Sequence, residues 1–217
     1  MAEGDAINGK IVTLYSYKGG AGRTMALANV GWILASNGLR VLVADWDLDS
    51  PGLHRYFHPF LDAKLVAAIP GVIELVNDYA WAAAEHEDRP ADWQQQYARV
   101  LPYAISLNWQ HFPGSGCLDY LSAGRRNRDY SSSLASIDWD DFYDRLNGGQ
   151  FIDALRADMK AHYDYTLIDS RIGLSDIADI WTVHLPDILV DCFTLNDQSI
   201  DGAASVARTR RTGRGTI

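Results

Sequence analysis

Residues 17–24 read Tyr17-Lys18-Gly19-Gly20-Ala21-Gly22-Arg23-Thr24, which brings glycines, two cations and a hydroxyl into one short run. Phosphate oxygens need backbone N–H donors at close range, and glycine lets a chain wrap that tightly. If a helix follows, its N-terminus adds partial positive charge and unpaired N–H groups. A cation just before the helix can reach β- and γ-phosphates, and a neighbouring hydroxyl can ligate Mg²⁺. Against the general pattern G-x-x-x-x-G-K-[ST], Tyr17 stands at the first glycine position and Arg23 at the lysine. Arginine keeps the charge but is a planar fork, less free to act as a point charge between phosphates. Binding can then survive while hydrolysis slows. The plainer alternative is a glycine turn beside a cation.

Other clusters are weaker. Asp45, Asp47 and Asp49 alternate after an apolar run, but Ser50 and Tyr56 occupy the glycine and glutamate positions that a calcium loop requires. His54 and His58 are four apart and lack a third ligand, so packing or a surface role is expected rather than zinc. Trp81, Trp93, Trp109 and Trp139 are expected to pack in the core and between helices. Ser170 follows Asp169 without an assignable histidine, which argues against a serine hydrolase.

The elements that must position the loop alternate in type. Residues 11–15 form an apolar, β-branched run that predicts a buried strand, followed by the loop. A helix is predicted over 24–36, with Leu27, Val30, Ile33 and Leu34 at helical spacing and Asn37-Gly38 as its stop. Residues 39–44 predict a second buried strand ending in the acids, and Pro70-Gly71 precedes a helix over 72–84. About 85–147 reads as a helical or irregular insertion, with short helices around 93–100 and 139–146 and one strand-like piece, Cys117–Leu121. Beyond it come a helix over 151–162, a strand over 165–168 closed by Asp169, a helix over 175–184, a strand over 188–194 and a helix from 200 to 210. This alternation predicts a single α/β domain over 1–217, with a mostly parallel sheet covered by helices on both faces.

The run Lys18–Thr24 resembles the deviant Walker A motif of the ParA/MinD-like P-loop ATPases of the SIMIBI class, and most resembles a variant branch with the motif KGGVGR. Residues 41–47 resemble the family's strand and D-x-D, 163–169 its Walker B strand, and 196–202 the loop after the following strand. The resemblance implies ATP and Mg²⁺ as cofactors. It implies that Lys18 reaches the phosphates of a partner across a homodimer, that Gly19, Gly20, Ala21, Gly22 and Arg23 hold phosphate, and that Thr24 binds Mg²⁺. Asp47 would position the attacking water, Asp45 and Asp169 would hold the metal's outer shell, and Arg23 and Lys18 would complete the catalytic set. Carboxylates suit that shell, because Mg²⁺ keeps most of its waters and acids anchor them. Arg171 could add a second cation near the γ-phosphate or serve in a salt bridge. Relatives continue past the last helix into a strand and loop that help hold the base, so truncation at the C-terminal end or an incomplete base pocket is expected.

Bulk properties narrow the classes. At 217 residues, with 47% hydrophobic and 22% charged residues, the composition is that of a globular domain. No apolar run of the roughly 18–20 residues of a membrane span is evident, and residues 1–8 lack signal-peptide zones. Two cysteines, Cys117 and Cys192, make no disulfide framework, and a cytoplasmic location is expected. A net charge of −9 argues against broad nucleic-acid binding, except through the cluster Arg208, Arg210, Arg211 and Arg214, which otherwise reads as a solvated tail. The expected function is a dimerising ATPase switch with slow hydrolysis and a protein partner. The alternatives are a non-hydrolysing nucleotide sensor or scaffold and, against the lack of a tyrosine-rich tail, a protein kinase.

Overall fold

The computed structural model describes residues 8–85, 90–170 and 184–212. Its strands are β1 (Lys10–Tyr15), β2 (Arg40–Asp45), β3 (Ala104–Ser106), β4 (Cys117–Leu121), β5 (Tyr165–Asp169) and β6 (Ile188–Asp191). They form one sheet in the order β3-β4-β2-β5-β1-β6, parallel except for β3 at one edge. The helices are α1 (Arg23–Ser36), α2 (Ala63–Ala68), α3 (Val72–Glu85), α4 (Gln94–Tyr97), α5 (Tyr130–Ala135), α6 (Trp139–Asp144), α7 (Gly148–His162) and α8 (Asp197–Thr212). The expected α/β sheet is therefore present. Cys117–Leu121, the one strand expected in the middle stretch, pairs with β2 inside the sheet, and β3 adds an edge strand too short to show a period.

Burial on both faces explains the continuous apolar runs in the strands. Along β2, Val41 and Val43 join a core with Leu27, Leu53 and Phe57, while Leu42 and Ala44 join the opposite core with Tyr79, Phe151 and Leu155. α1 lies very close to the sheet. A Cβ on Gly31 would come within 2.8 Å of Val43 Cγ1, so the contact requires glycine. The buried stripe of α1 is accordingly Leu27, Ala28, Gly31 and Ala35, and the expected Val30 and Ile33 are exposed. Small residues face inward because a close helix leaves no room for large ones.

Two of the four tryptophans depart from expectation. Trp93 stacks on Tyr79 with ring centroids 5.0 Å apart, and Trp139 packs on Phe142. Trp81, however, is 71% exposed, because the buried residues of α3 lie on its other side. Trp109 is also exposed, in a surface aromatic group with Trp32 and Phe60. The last strand stops at Asp191, and α8 begins at Asp197, earlier than residue 200, because Asn196 Oδ1 accepts from Ser199 N at 2.9 Å. The helix expected over 175–184 lies, but for His184, outside the described residues. One stretch, Lys64–Glu85, has spanning length and hydropathy. Ile69 breaks it with extended backbone, and Val72, Ile73, Leu75, Val76 and Tyr79 are core residues.

The ends of the strands are tied by charge. Asp164 accepts from Arg40 N at 2.8 Å and from Nη2 at 2.8 Å, joining the starts of β2 and β5. Its hydrogen bonds from the Arg40 guanidinium hold the Asp164 carboxyl below the usual range. With the folded value below the unfolded value of about 3.9, this stabilisation is present above that pH and lost as pH falls through the folded value. Asp164→Asn is expected to cost about 1–2 kcal/mol in urea denaturation at pH 7, with the gap closing below about pH 4.

Candidate nucleotide site

The register of the sheet sets the site before any loop does. Asp45 on β2 and Leu14 on β1 both pair with Asp169 of β5, so β1, β2 and β5 end together. In open α/β sheets, ligands bind in the crevice outside these carboxyl ends. The loop after β1 turns there through Gly20 and Gly22, with φ of +82° and +78°. Those values lie in the left-handed region, where a side chain would be strained. Gly22 is the N-cap of α1, no side chain caps the helix, and its first turn holds no acid. The leading N–H groups and the positive end of the helix are thus left for a ligand. Together with Ser16, Asp47 and Tyr56, residues Gly19–Thr24 line a cleft of about 320 Å³.

Arg23 does not rise into that cleft's crown. It is 6% exposed, and its guanidinium turns inward to the strand ends. Its Nε lies 2.5 Å from Asp169 Oδ1, its Nη2 donates to Asp47 Oδ2 at 3.0 Å, and its Nη1 donates to Ser16 Oγ at 3.2 Å. A planar fork can hold two carboxylates and a hydroxyl at once, which a lysine ammonium at the end of a flexible chain does less well. Burial pushes the Asp47 carboxyl up, against the lowering effect of Arg23. The Asp169 backbone oxygen also accepts from Trp46 N at 2.9 Å, which ties β5 to the residue between Asp45 and Asp47.

Asp45 is turned to another task. Its Oδ2 accepts from Gly52 N and Leu53 N, both at 3.0 Å, capping the short 3-10 helix Leu53–Phe57. Its Oδ1 is buried with no hydrogen-bond partner among the described residues. Burial first, and then the neighbouring Asp169 charge, push the Asp45 carboxyl up to about 7.

The structure thus brings Gly19, Gly20, Ala21, Gly22, Thr24 and Asp47 around one cleft, with Arg23 at its floor and Asp169 beneath. Lys18 is exposed and stands outside the cleft lining. Arg171 lies outside the described residues. The cleft also takes in Ser16 and Tyr56, which lie outside the glycine-loop motif. Ser16, next to the glycine run, was open to inference as an Arg23 acceptor, whereas Tyr56 lies on a short 3-10 turn without a local signature. Tyr17 packs on α8. A Cβ on Gly202 would fall 2.1 Å from the Tyr17 ring, so glycine is required there. Among the described residues, no group of three or more His, Cys, Asp or Glu is placed to hold a metal by itself. An ion there would rely on ligand oxygens and water, as Mg²⁺ commonly does.

A parallel sheet with the loop after β1, helices on both faces and acids at adjoining strand ends is the fold of the ParA/MinD-like P-loop ATPases. Among solved structures, the chain is similar to a protein described as a plasmid partition protein from Borrelia burgdorferi B31, bound to AMPPNP. The identity is 15% and the TM-score 0.62, over 96% of this chain and 71% of that one. It is also similar to apo McdA from Cyanothece, with 17% identity and a TM-score of 0.60 over 94% and 66% of the two chains. The septum site-determining protein MinD of Pyrococcus horikoshii OT3, complexed with Mg-ADP, gives 17% identity and a TM-score of 0.53 over 94% and 65%. The chain therefore spans about two thirds of the length of these proteins. No protein-family model matches it, and no curated protein matches significantly.

The raised Asp45 value fixes a pH signature. Between the unfolded value of about 3.9 and the folded value, the folded state holds a proton that the unfolded state has lost. Stability from this group is therefore full at low pH and falls as pH rises toward 7. Asn keeps the oxygen that caps Gly52 and Leu53 but cannot ionise. Asp45→Asn is expected to be more favourable at pH 8 than at pH 5, by at least about 1 kcal/mol, in thermal or urea unfolding of the apo protein. Equal effects at both pH values would mean that Asp45 is ionised throughout.

Proposed function

We propose that the protein binds ATP with Mg²⁺ at the glycine loop and acts as a nucleotide-dependent dimerising switch with slow hydrolysis. The observation that carries this reading is the uncapped N-terminus of α1 behind two left-handed glycines, a concavity of N–H donors beside buried acids. Gly19, Gly20, Ala21 and Gly22 would hold phosphate oxygens and Thr24 would ligate the metal. Asp169 and Asp45 would anchor the metal's waters; Asp45 Oδ1 is buried and has no hydrogen-bond partner among the described residues. When bound, Mg²⁺ supplies charge neutralisation on the phosphates; the protein supplies position.

In this reading Asp47 orients the attacking water, and Arg23 restrains it. While the Arg23 guanidinium holds Asp47 Oδ2 at 3.0 Å, one oxygen of that carboxylate is engaged. Lys18, exposed and outside the cleft, would meet the phosphates of a second copy, giving a homodimer across the site. A protein partner and a cytoplasmic setting fit this role, and a nucleic-acid contact would be confined to the arginines of α8 and its end.

The Arg23–Asp47 pair also favours a second reading, in which nucleotide binds without turnover and the chain is a sensor for a protein partner. Mg²⁺-dependent ATP binding and phosphate release separate the two. Thr24→Ala is expected to weaken Mg-ATP binding at least about tenfold, while Asp47→Ala binds ATP and loses hydrolysis. Arg23→Lys, freeing one carboxylate, is expected to raise turnover. Stoichiometric ATP binding without phosphate release in both the wild type and Arg23→Lys would select the sensor. Absence of ATP binding by the wild type would overturn both.

A further inference from the structure

We propose a second ligand site, for a small phosphate ester with an apolar body, in the cavity between the 3-10 helix Leu53–Phe57, α2 and the loop after β4. This cavity, of about 470 Å³, is lined by His54, Arg55, His58, Leu61, Val66 and Arg126 among others. Its position is distinct from the glycine-loop cleft, and it does not depend on the nucleotide reading.

Charge is the first observation. In a chain of net charge −9, two arginines converge here beside two histidine rings, and no carboxylate is among the described side chains lining the cavity. Arg55 and His58 are exposed and make no ion pair among the described residues. A guanidinium fork matches phosphate oxygens bidentately.

His54 is the second observation. Its Nε2 lies 2.6 Å from Arg126 Nη1, and an arginine can only donate, so Nε2 accepts and the hydrogen is on Nδ1. Burial, with Arg126 and Arg55 nearby, holds its pKa down to about 4, which agrees with a neutral ring. The Nδ1 donor is buried without a partner among the described residues. His54 thus acts at the cavity by orienting the Arg126 guanidinium, which donates to its Nε2.

Shape is the third observation. Arg126 is fixed from behind by its own N–H, which donates to Ala67 O at 3.1 Å, and Arg125 N donates to Glu74 Oε1 at 3.0 Å. The wall that carries Arg126 is thus held before any ligand arrives. Beneath the cationic rim lie Leu61 and Val66, both nearly fully buried. Cations around an apolar floor favour an ester over free phosphate, because an aryl or alkyl group is itself removed from water there.

The test follows the histidine ring resonances of labelled protein, assigned with His54→Gln and His58→Gln, during titration with phenyl phosphate, inorganic phosphate and benzoate. Phenyl phosphate is expected to shift His54 and His58 saturably at one equivalent per chain, at least about fivefold more tightly than inorganic phosphate. Arg55→Gln, at an exposed position, should weaken this at least about fivefold, and Arg55→Gln with Arg126→Gln further, with thermal unfolding confirming a folded chain. Because Arg55 lines this cavity and not the glycine-loop cleft, its variant separates the two sites. No shift of either histidine up to about 10 mM, or equal affinity in the folded arginine variants, would overturn the site. Benzoate binding as tightly as phenyl phosphate would overturn the choice of phosphate.

Discussion

A guanidinium buried between two carboxylates is the interaction on which this architecture turns. Arg23 stands at the first residue of α1, Asp169 closes β5, and Asp47 follows β2. One side chain therefore joins the helix to the ends of two strands. Charges so deeply buried are expensive to desolvate, and the arrangement holds only because each partner satisfies the others. Removing Arg23 would leave Asp47 and Asp169 facing each other beside Asp45, whose carboxyl is already pushed up. The cation at the base of the glycine loop is thus a structural member as well as a candidate ligand.

The acids divide the work around it. Asp47 and Asp169 hold Arg23, while Asp45 caps the turn Leu53–Phe57. That turn carries Tyr56 to the glycine-loop cleft and His54 and Arg55 to the neighbouring cavity. Tyr130 Oη donates to Leu48 O at 2.7 Å, so α5 steadies the same connection from the other side. The middle stretch supplies β4 to the sheet and α5 to the segment that follows β2.

Much of this was legible because it follows local rules. Glycines at Gly20 and Gly22 announce a loop that needs positive φ, and runs such as Val41–Ala44 announce strands buried on both faces. What escaped depends on distance between elements. The burial of Gly31 and Ala35 in place of Val30 and Ile33 reflects how near α1 approaches the sheet, which helical spacing alone does not reveal. β3 is three residues long and exists because β4 offers it an edge. The inward turn of Arg23 was hidden for the same reason: its partners are 24 and 146 residues away in sequence. A spacing pattern shows that a cation is present, whereas its direction is set by which acids the sheet register delivers beneath it.

The contact between Tyr17 and Gly202 has a mechanical meaning. An aromatic ring resting on bare backbone leaves no compressible side chain between the glycine loop and α8, so the two elements share a hard stop. The helix cannot slide toward the loop without displacing the residue next to Lys18, and the loop cannot swing outward without first lifting off the helix. An approach of either element toward the other is thus passed on by steric contact alone, whereas their separation is not, like a pawl against a tooth.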